Sequence, residues 1–593
     1  MAKSDSRFEY KANLSRTDHD LSQPFTFTSA PGMLLPIWCD IASPGDSYYM
    51  SHDMPLLRSQ VLAAPAMVDV KVHYETFFVP FQMIYEPFEN SKFSLKNLRS
   101  SNYDSSSLRN QNLPLFPYGV AINEVFGTFF NHKARTDCFR MADLLGLNPI
   151  NFCSGNANNF ATYAPNFFPW QLCAYQTIFQ YYYRLDDKSS FINFFANIDK
   201  YYSSSSISLP SGVAYAAFFE IHQRPWDFDY YTSMYRSPIV SDSNLQKVLP
   251  LGSYNDLTPL NQVGGSVPFS GGAGIATPNE QVRSFSADAS SNYDDTNLIG
   301  SISTSNIRQL FANEKLAMIT GRTKKNYDSQ VLAHYGVSVP HDVKHDITMI
   351  HHDEFELKVL EVTSLASTSD APLGELAGKS YATGEGKSFK FTAPCDGVIM
   401  TIFSVEPKRK YQDSFNRINA VTNVFDLPTP EFDRLGNVPM YRYEAGMASN
   451  ATGLAMTDII GWKERYYPFK RRSPRATYAF FNNQAGTNIW SSYVLNSYPF
   501  ALPIYWNGLG SAVYPLPSSE GAFYINRNSM DDLTLVPYVA DWIESTDPDD
   551  TGENWSKNPH LVYSRDPFIV DSFIKCKKVS WMSKDGEPVY NMV

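Results

Sequence analysis

The sequence predicts a mainly β protein, a β-sandwich or jelly roll with long loop insertions and a few short helices. Three observations predict this class. Tyr, Phe and Trp, which favour strands, make up 15% of the 593 residues, and 38 Pro and 31 Gly supply turns. Several segments alternate apolar and polar residues with a period of two. Strands and helices do not alternate regularly along the chain, which argues against a doubly wound α/β fold.

The clearest strand pattern covers residues 68–75, where apolar residues alternate with Asp69, Lys71, His73 and Glu75. This period of two predicts one buried face and one wetter face. Pro80 is expected to end the strand. Further strands are predicted at residues 355–362, 388–392, 398–405 and 566–581. The third of these is a continuous apolar run, as in a strand buried on both faces.

Three short helices are predicted, at residues 136–145, 170–185 and 303–319. Pro169 suits the start of the second, because a proline at the beginning of a helix removes no internal hydrogen bond. A capping Ser or Thr and an apolar stripe at helical spacing mark the third.

The chain is too long for one ordinary core, because single cores stop growing at roughly 250–300 residues, so it has either several domains or one β core that carries long insertions. We expect a flexible arm over residues 1–24 and a β core with insertions over residues 25–593. Residues 241–300 are rich in Gly, Ser, Asn and Asp without hydrophobic periodicity, so they form either a linker or an exposed surface loop. Residues 486–565 give no clear pattern and stay unassigned.

Charge is sparse and acidic: 18% of the residues are charged, with 49 Lys and Arg against 60 Asp and Glu, for a net charge of -11. Few charges and many aromatic residues indicate a surface that other protein covers, or a large secreted β protein. A protein that grips phosphate by its overall charge should be basic. No secretory signal or membrane-spanning run is visible, so we expect folding in a cytoplasm without membrane insertion.

One segment, residues 462–478, interleaves cations with aromatic side chains. Cations can follow a phosphate backbone while aromatic rings stack on unpaired bases, which favours single-stranded nucleic acid. The candidate nucleic-acid-binding residues are Lys463, Arg465, Tyr466, Lys470, Arg471, Arg472 and Arg475. Two alternatives are a solvated turn whose aromatic residues belong to the core, and a subunit contact rich in Arg and Tyr.

Two other patterns resemble functional motifs but are weaker evidence for a binding or catalytic site. Residues 374–380 resemble a phosphate-binding loop, but three residues separate the glycines instead of four, and no helix is predicted to follow. A run of histidine and aspartate lacks the Glu of a hydrolytic zinc motif, so we expect a polar segment before a strand, with a structural or adventitious cation as the alternative. This run consists of His341, Asp342, His345, Asp346, His351, His352 and Asp353. We predict no catalytic residue, no metal ligand and no cofactor, and therefore no enzyme.

Short motifs follow one another along most of the chain. They include Leu35–Ile37, Pro44–Asp46, Phe77–Pro80, Ala174–Ile178, Arg224–Trp226, Asp229–Ser233, His334–Val337, Leu373–Gly378, Ile402–Val405 and Asp566–Pro588. In this order they resemble the major capsid protein of the Microviridae, small icosahedral single-stranded DNA phages, and most of all the gokushovirus-type branch. The chain departs from the family pattern at Phe81 and Gln82, where Asn-Arg is usual.

The resemblance implies an eight-stranded antiparallel jelly roll of the viral capsid type. Copies of the chain would close a T=1 icosahedral shell around single-stranded DNA, in a virion assembled in the cytoplasm of a host bacterium. An insertion would form a threefold protrusion that contacts a host surface receptor, with residues 241–300 as the candidate and 186–215 as the fallback. The acidic balance adds a small basic internal DNA-binding protein as an expected partner.

Two other functions remain open at this point. A bacterial surface carbohydrate-binding β protein would also be rich in Trp, Tyr and Asn, but no signal peptide is visible. A glycoside hydrolase would need a pair of carboxylates, and no motif points to one.

Overall fold

The computed structural model divides the chain into two compact units. Unit 1 consists of Met1–Arg236, Pro340–Thr429 and Pro439–Val593, and unit 2 of Ser237–Val339 and Pro430–Val438. The structure describes residues 16–59, 69–84, 140–147, 167–185, 219–235, 315–316, 319–320, 323, 327–337, 346–363, 376–408, 410–412, 417–422, 424–433, 436–445, 459–476, 496–497, 524–525 and 566–582.

Strands dominate the described residues. They are β1 (Thr17–Asp20), β2 (Gln23–Ser29), β3 (Leu35–Ala42), β4 (Ser47–Ser59), β5 (Val70–Pro80), β6 (Thr348–Thr363), β7 (Leu376–Glu385), β8 (Phe389–Thr392), β9 (Gly397–Pro407), β10 (Lys410–Gln412), β11 (Asn437–Tyr441), β12 (Ile459–Glu464), β13 (Arg475–Ala476), β14 (Asn496–Ser497) and β15 (Phe568–Ser580). The helices are α1 (Phe81–Ile84), α2 (Trp170–Ile178), which continues as a π-helix over Phe179–Tyr183, α3 (Tyr327–Tyr335) and α4 (Tyr467–Lys470). Short 3-10 helices cover Arg417–Ala420, Val424–Asp426, Pro430–Phe432 and Arg442–Ala445.

Ten strands of unit 1 form one hydrogen-bonded sheet in the order β1-β15-β4-β7-β6-β5-β9-β3. β2 joins it beside β15, and β8 joins it beside β4. All the pairings between these strands are antiparallel. The ten strands therefore fill eight positions across the sheet, and the predicted antiparallel jelly roll is confirmed.

The sheet folds into the two layers of a sandwich, and strand β6 belongs to both layers. Its first part pairs with β5, and its last part pairs with β7. Aromatic contacts join the two layers: the ring centroids of Phe27 and Phe403 lie 4.9 Å apart, and those of Phe78 and Phe391 lie 5.2 Å apart. The apolar core of unit 1 fills the space between the layers.

The predicted strands agree with β5, β6, β8, β9 and β15, and Pro80 is the last residue of β5. β9 is buried along its whole length, as its continuous apolar run predicts. One detail is wrong. On the expected wetter face of β5, Lys71 is partly exposed, but His73 and Glu75 are buried, each only 3% exposed. The cause is a second layer of chain, including Tyr183 and Arg224, that contacts this face.

Helix α2 begins directly after Pro169, as predicted, and residues 140–144 of the first predicted helix are helical. The predicted N-terminal arm differs from the structure where it is described. Thr17–Asp20 and Gln23–Ser29 both pair antiparallel with β15. Residues 1–15, the two candidate protrusion segments at 241–300 and 186–215, and most of 303–319 and 486–565 lie outside the described residues.

Candidate functional site

A polar cluster, largely buried except at His352, lies on the face of the sheet that points away from the sandwich core. We call it the outer cluster: His73, Glu75, Arg224, His352 and Glu406. Side chains alternate along a strand, so residues of odd number on β5 and even number on β6 and β9 reach the same face. The pairing of His73 with Glu354 and with Ser404 puts these three strands in register there.

Arg224 is the centre of the charge pairing in the outer cluster. Its Nη1 donates to Oε2 of Glu75 at 2.8 Å and to Oγ of Ser404 at 3.1 Å, and its Nε lies 3.4 Å from Oε2 of Glu406. Tyr183 donates its hydroxyl to Glu75 as well. Burial raises the pKa of Tyr183 well above its usual value, so the hydroxyl keeps the proton that it donates. Arg224 thus joins residues 219–235 to the sheet by charge-assisted hydrogen bonds.

Two histidines complete the outer cluster. Nε2 of His73 lies 3.1 Å from Oε2 of Glu406, and Nδ1 of His73 lies 3.0 Å from Nε2 of His352. Burial raises the pKa of Glu406, but the hydrogen bond from His73 and the charge of Arg224 outweigh it, so the pKa is lowered and the group is ionised. Burial lowers the pKa of His352, which favours the neutral imidazole.

A second polar cluster, the inner cluster, lies between the two layers of the sandwich. Nδ1 of His52 lies 2.9 Å from Oδ2 of Asp353, and its Nε2 lies 2.8 Å from Oγ1 of Thr76. Thr76 in turn shares a 2.9 Å hydrogen bond with Thr401, and His351 lies 3.1 Å from Asp353. Burial lowers the pKa of His52, so the ring is neutral. Both nitrogens of His52 are paired, as a buried polar group requires, and the network links β4 of one layer to β5 and β9 of the other.

The histidine and aspartate run was predicted to precede a strand, but its last three residues lie within one. His351, His352 and Asp353 lie within β6, and the alternation of the strand sends His351 and Asp353 to the inner cluster and His352 to the outer cluster. His341, Asp342 and His345 lie outside the described residues, and Asp346 precedes β6. The sequence signal for this site was two polar residues at alternate positions of β5, His73 and Glu75, and two at alternate positions of β6, His352 and Glu354.

The structure divides the predicted nucleic-acid-binding residues into two groups. Lys463 and Tyr466 are buried, at 4% and 6% exposure. Nζ of Lys463 lies 5.7 Å from the ring centres of Tyr230 and Tyr467 and donates to Ser233. These two residues belong to the interior of unit 1, which agrees with one of the alternatives left open by the sequence.

The remaining cations of this segment lie further out. The side chain of Arg465 is partly buried and lies over the ring of Tyr466 at 5.3 Å. The exposed residues are Lys470, Arg471, Arg472 and Arg475, which we call the basic edge. Phe469 beside them is 40% exposed. The basic edge therefore keeps the combination of cations and an aromatic ring that the sequence indicated.

A buried carboxylate holds the helix from which the basic edge starts. Oε1 of Glu444 accepts from Nη1 of Arg417 at 2.8 Å, and its other oxygen accepts from the hydroxyl of Tyr467 on α4. The hydroxyl of Tyr231 donates to the backbone carbonyl of Glu444 at 3.0 Å. Tyr466, at the start of α4, has a φ of 60°, a left-handed conformation that costs a non-glycine residue energy. The surrounding contacts fix this turn and with it the position of the basic edge.

The fold defines a class of protein: an antiparallel jelly roll with long insertions, an architecture that viral capsid subunits share with lectin domains and cupins. The family profile for capsid protein (F protein) matches residues 9–110 and 158–509, which is most of the chain. The chain belongs to this family of phage capsid proteins, and the resemblance to the Microviridae capsid protein is confirmed. Among the described residues, no helix is long and apolar enough to span a membrane.

A relative with a curated description is capsid protein VP1 of Chlamydia phage 1. It is 23% identical over 201 residues, which are 33% of this chain and 34% of the relative. The matched segment thus spans about a third of that relative's length. This similarity agrees with the family match, and both describe a structural kind of protein.

Proposed function

We propose that this chain is a shell subunit whose copies assemble into a T=1 icosahedral capsid around a single-stranded DNA genome, without enzymatic activity. The observation that carries the proposal is the capsid family match over most of the chain, together with the jelly roll that the strands of unit 1 form. A closed shell needs heterologous contacts whose rotations close on themselves. Each stable contact is expected to bury more than about 1,000 Å².

The surface of unit 1 supports such contacts. Eleven large apolar side chains in its described part are at least 40% exposed, among them Tyr49, Leu56, Tyr181, Phe228 and Tyr381. Aromatic residues are enriched in protein interfaces, and neighbouring copies would remove these from water. Sedimentation velocity of the purified full-length chain tests assembly. We expect a concentration-dependent shift from a slow species to a single large one, and one slow species at every concentration would refute self-assembly.

We assign contact with packaged DNA to the basic edge. Its four cations are exposed, whereas the net charge of the chain is -11, so the shell would hold DNA through local patches and a small basic internal protein. The variant Arg471→Ala, Arg472→Ala is expected to weaken binding of a single-stranded oligonucleotide and to reduce its salt dependence. The matched control Lys387→Ala, Lys390→Ala removes two exposed positive charges elsewhere on unit 1. Equal affinity of both variants would reject the basic edge.

We assign host attachment to an insertion. Residues 241–300 fall within unit 2, whose longer part is inserted in the chain between β5 and β6 of unit 1, and an insertion of this length is our candidate for the threefold protrusion. The fallback is residues 186–215. The test replaces 241–300 with a short Gly-Ser linker in phage. Particles that form but no longer adsorb to the host bacterium are expected, whereas normal adsorption would exclude this segment as the receptor-binding element.

A further inference from the structure

We propose that His73, His352 and Glu354 bind one divalent transition-metal ion of the zinc type at the solvent side of the outer cluster. The ion would join β5 to β6, two strands that come from distant parts of the sequence.

One ring nitrogen of His73 and one of His352 already lie at the distance expected for two ligands of the same metal ion. Nδ1 of His73 and Nε2 of His352 lie 3.0 Å apart. Two nitrogens that each lie about 2.0–2.1 Å from zinc are about 2.8–3.4 Å apart for angles between a right angle and the tetrahedral angle. One carboxylate oxygen of Glu354 completes a set in which all three ligand atoms lie within 4.8 Å of one another.

Glu354 can supply its oxygen with a small side-chain movement. Its side chain is 37% exposed, and its Oε1 is paired with Lys71 at 2.7 Å. The second oxygen of the carboxylate can turn toward the histidines while this ion pair persists. Imidazole and carboxylate together suit zinc and neighbouring transition metals better than calcium or magnesium, which prefer oxygen ligands alone.

The ring nitrogen of His73 that points away from the proposed ion has the kind of partner that is usual for metal-binding histidines. Nε2 of His73 lies 3.1 Å from Oε2 of Glu406, and both side chains are only 4% exposed. Metal-bound histidines commonly donate their other N–H to a carboxylate, which fixes the tautomer and the orientation of the ring. Here the carboxylate places the proton on Nε2, so the lone pair on Nδ1 points to His352.

Charge and access also favour a cation. Glu75, Glu354 and Glu406 bring three carboxylates to the site, and Lys71 and Arg224 bring two positive charges. The side chain of His352 is 34% exposed, so a hydrated ion can reach the histidine pair and keep water in its remaining coordination position. A divalent cation would offset the excess negative charge.

The inner cluster is the weaker candidate, although His52, His351 and Asp353 also lie within ligand distance of one another. Its central residue His52 is fully buried, and hydrogen bonds to Asp353 and Thr76 occupy both ring nitrogens. Metal binding there would replace one of these bonds inside the sandwich core, where a hydrated ion has less access than at the partly exposed His352. We therefore assign the ion to the outer cluster.

The test is calorimetric titration of the metal-free full-length chain with zinc chloride. We expect one ion per chain and, since an ion that binds only the folded state stabilises it, a higher melting temperature with zinc. His352→Gln and Glu354→Gln are each expected to weaken binding at least about tenfold, given that even outer partners of a metal site contribute 10–100-fold. Both positions are partly exposed, so circular dichroism should show folded variants.

The matched controls are His334→Gln, a histidine of unit 2 that lies 3.0 Å from Thr320, and His351→Gln of the inner cluster. Both controls are expected to bind zinc as the unmodified chain does. Three results would overturn the proposal: no zinc bound, weak binding that neither His352→Gln nor Glu354→Gln changes, or loss of binding in His351→Gln alone.

Discussion

The guanidinium of Arg224 lies 2.8 Å from the carboxylate of Glu75, and the two side chains are 14% and 3% exposed. The two residues are 149 positions apart in the sequence, so this ion pair ties residues 219–235 to β5. A buried ion pair is weak support for stability as a whole, but the loss of one partner leaves an uncompensated buried charge.

Arg224→Met is therefore expected to lower the free energy of unfolding by about 3–5 kcal/mol, as measured by denaturant unfolding of the unassembled chain. The double variant Arg224→Met, Glu75→Met removes both charges and is expected to lose less than Arg224→Met alone. A matched control is Lys577→Ala, whose partner Asp18 is exposed and whose loss should change little. A double variant less stable than the single variant would contradict the account of this pair.

The pH dependence of stability should contain a contribution from His222. This ring is stacked on Phe179, with ring centres 3.7 Å apart, and burial lowers its pKa to about 3. The unfolded chain binds the proton near pH 6.5. Above about pH 6.5 the residue adds no pH dependence, and below it the free energy of unfolding falls by up to about 1.4 kcal/mol per pH unit until the folded pKa is reached.

The measurement compares denaturant unfolding of the unmodified chain and His222→Gln between pH 6.5 and 5. The variant loses the stacking contact at every pH, so the slope and not the absolute stability is the readout. We expect a shallower slope in the variant, by up to one proton. Identical slopes would show that His222 titrates alike in the folded and unfolded chain.

Gly32 is expected to tolerate no side chain. Its φ is +75°, and a Cβ there would lie 2.5 Å from Cβ of Ile525. Gly32→Ala should thus combine backbone strain of about 1–3 kcal/mol with a steric collision. Gly146 is a matched control, because its φ is +71° and a Cβ there would meet no atom of the described residues within 4 Å. Gly32→Ala should lower the melting temperature clearly more than Gly146→Ala, and equal effects would rule out the collision.

The sequence predicted the features that depend on local pattern. The apolar run of β9 indicated a strand buried on both faces, because successive side chains of a strand point to opposite faces and all of these are suited to burial. The burial of His73 and Glu75 could not be predicted from the alternation of β5, since the covering residues Tyr183 and Arg224 come from distant segments. The same holds for Lys463, whose surroundings include Tyr230 and Ser233, more than 200 positions earlier in the chain.

Electron microscopy of the purified full-length chain at high concentration tests the central claim most directly. An icosahedral shell subunit should form closed spherical particles of one diameter, because identical contacts that close on themselves allow one size. A preparation that contains only single chains at every concentration and salt condition would contradict the account.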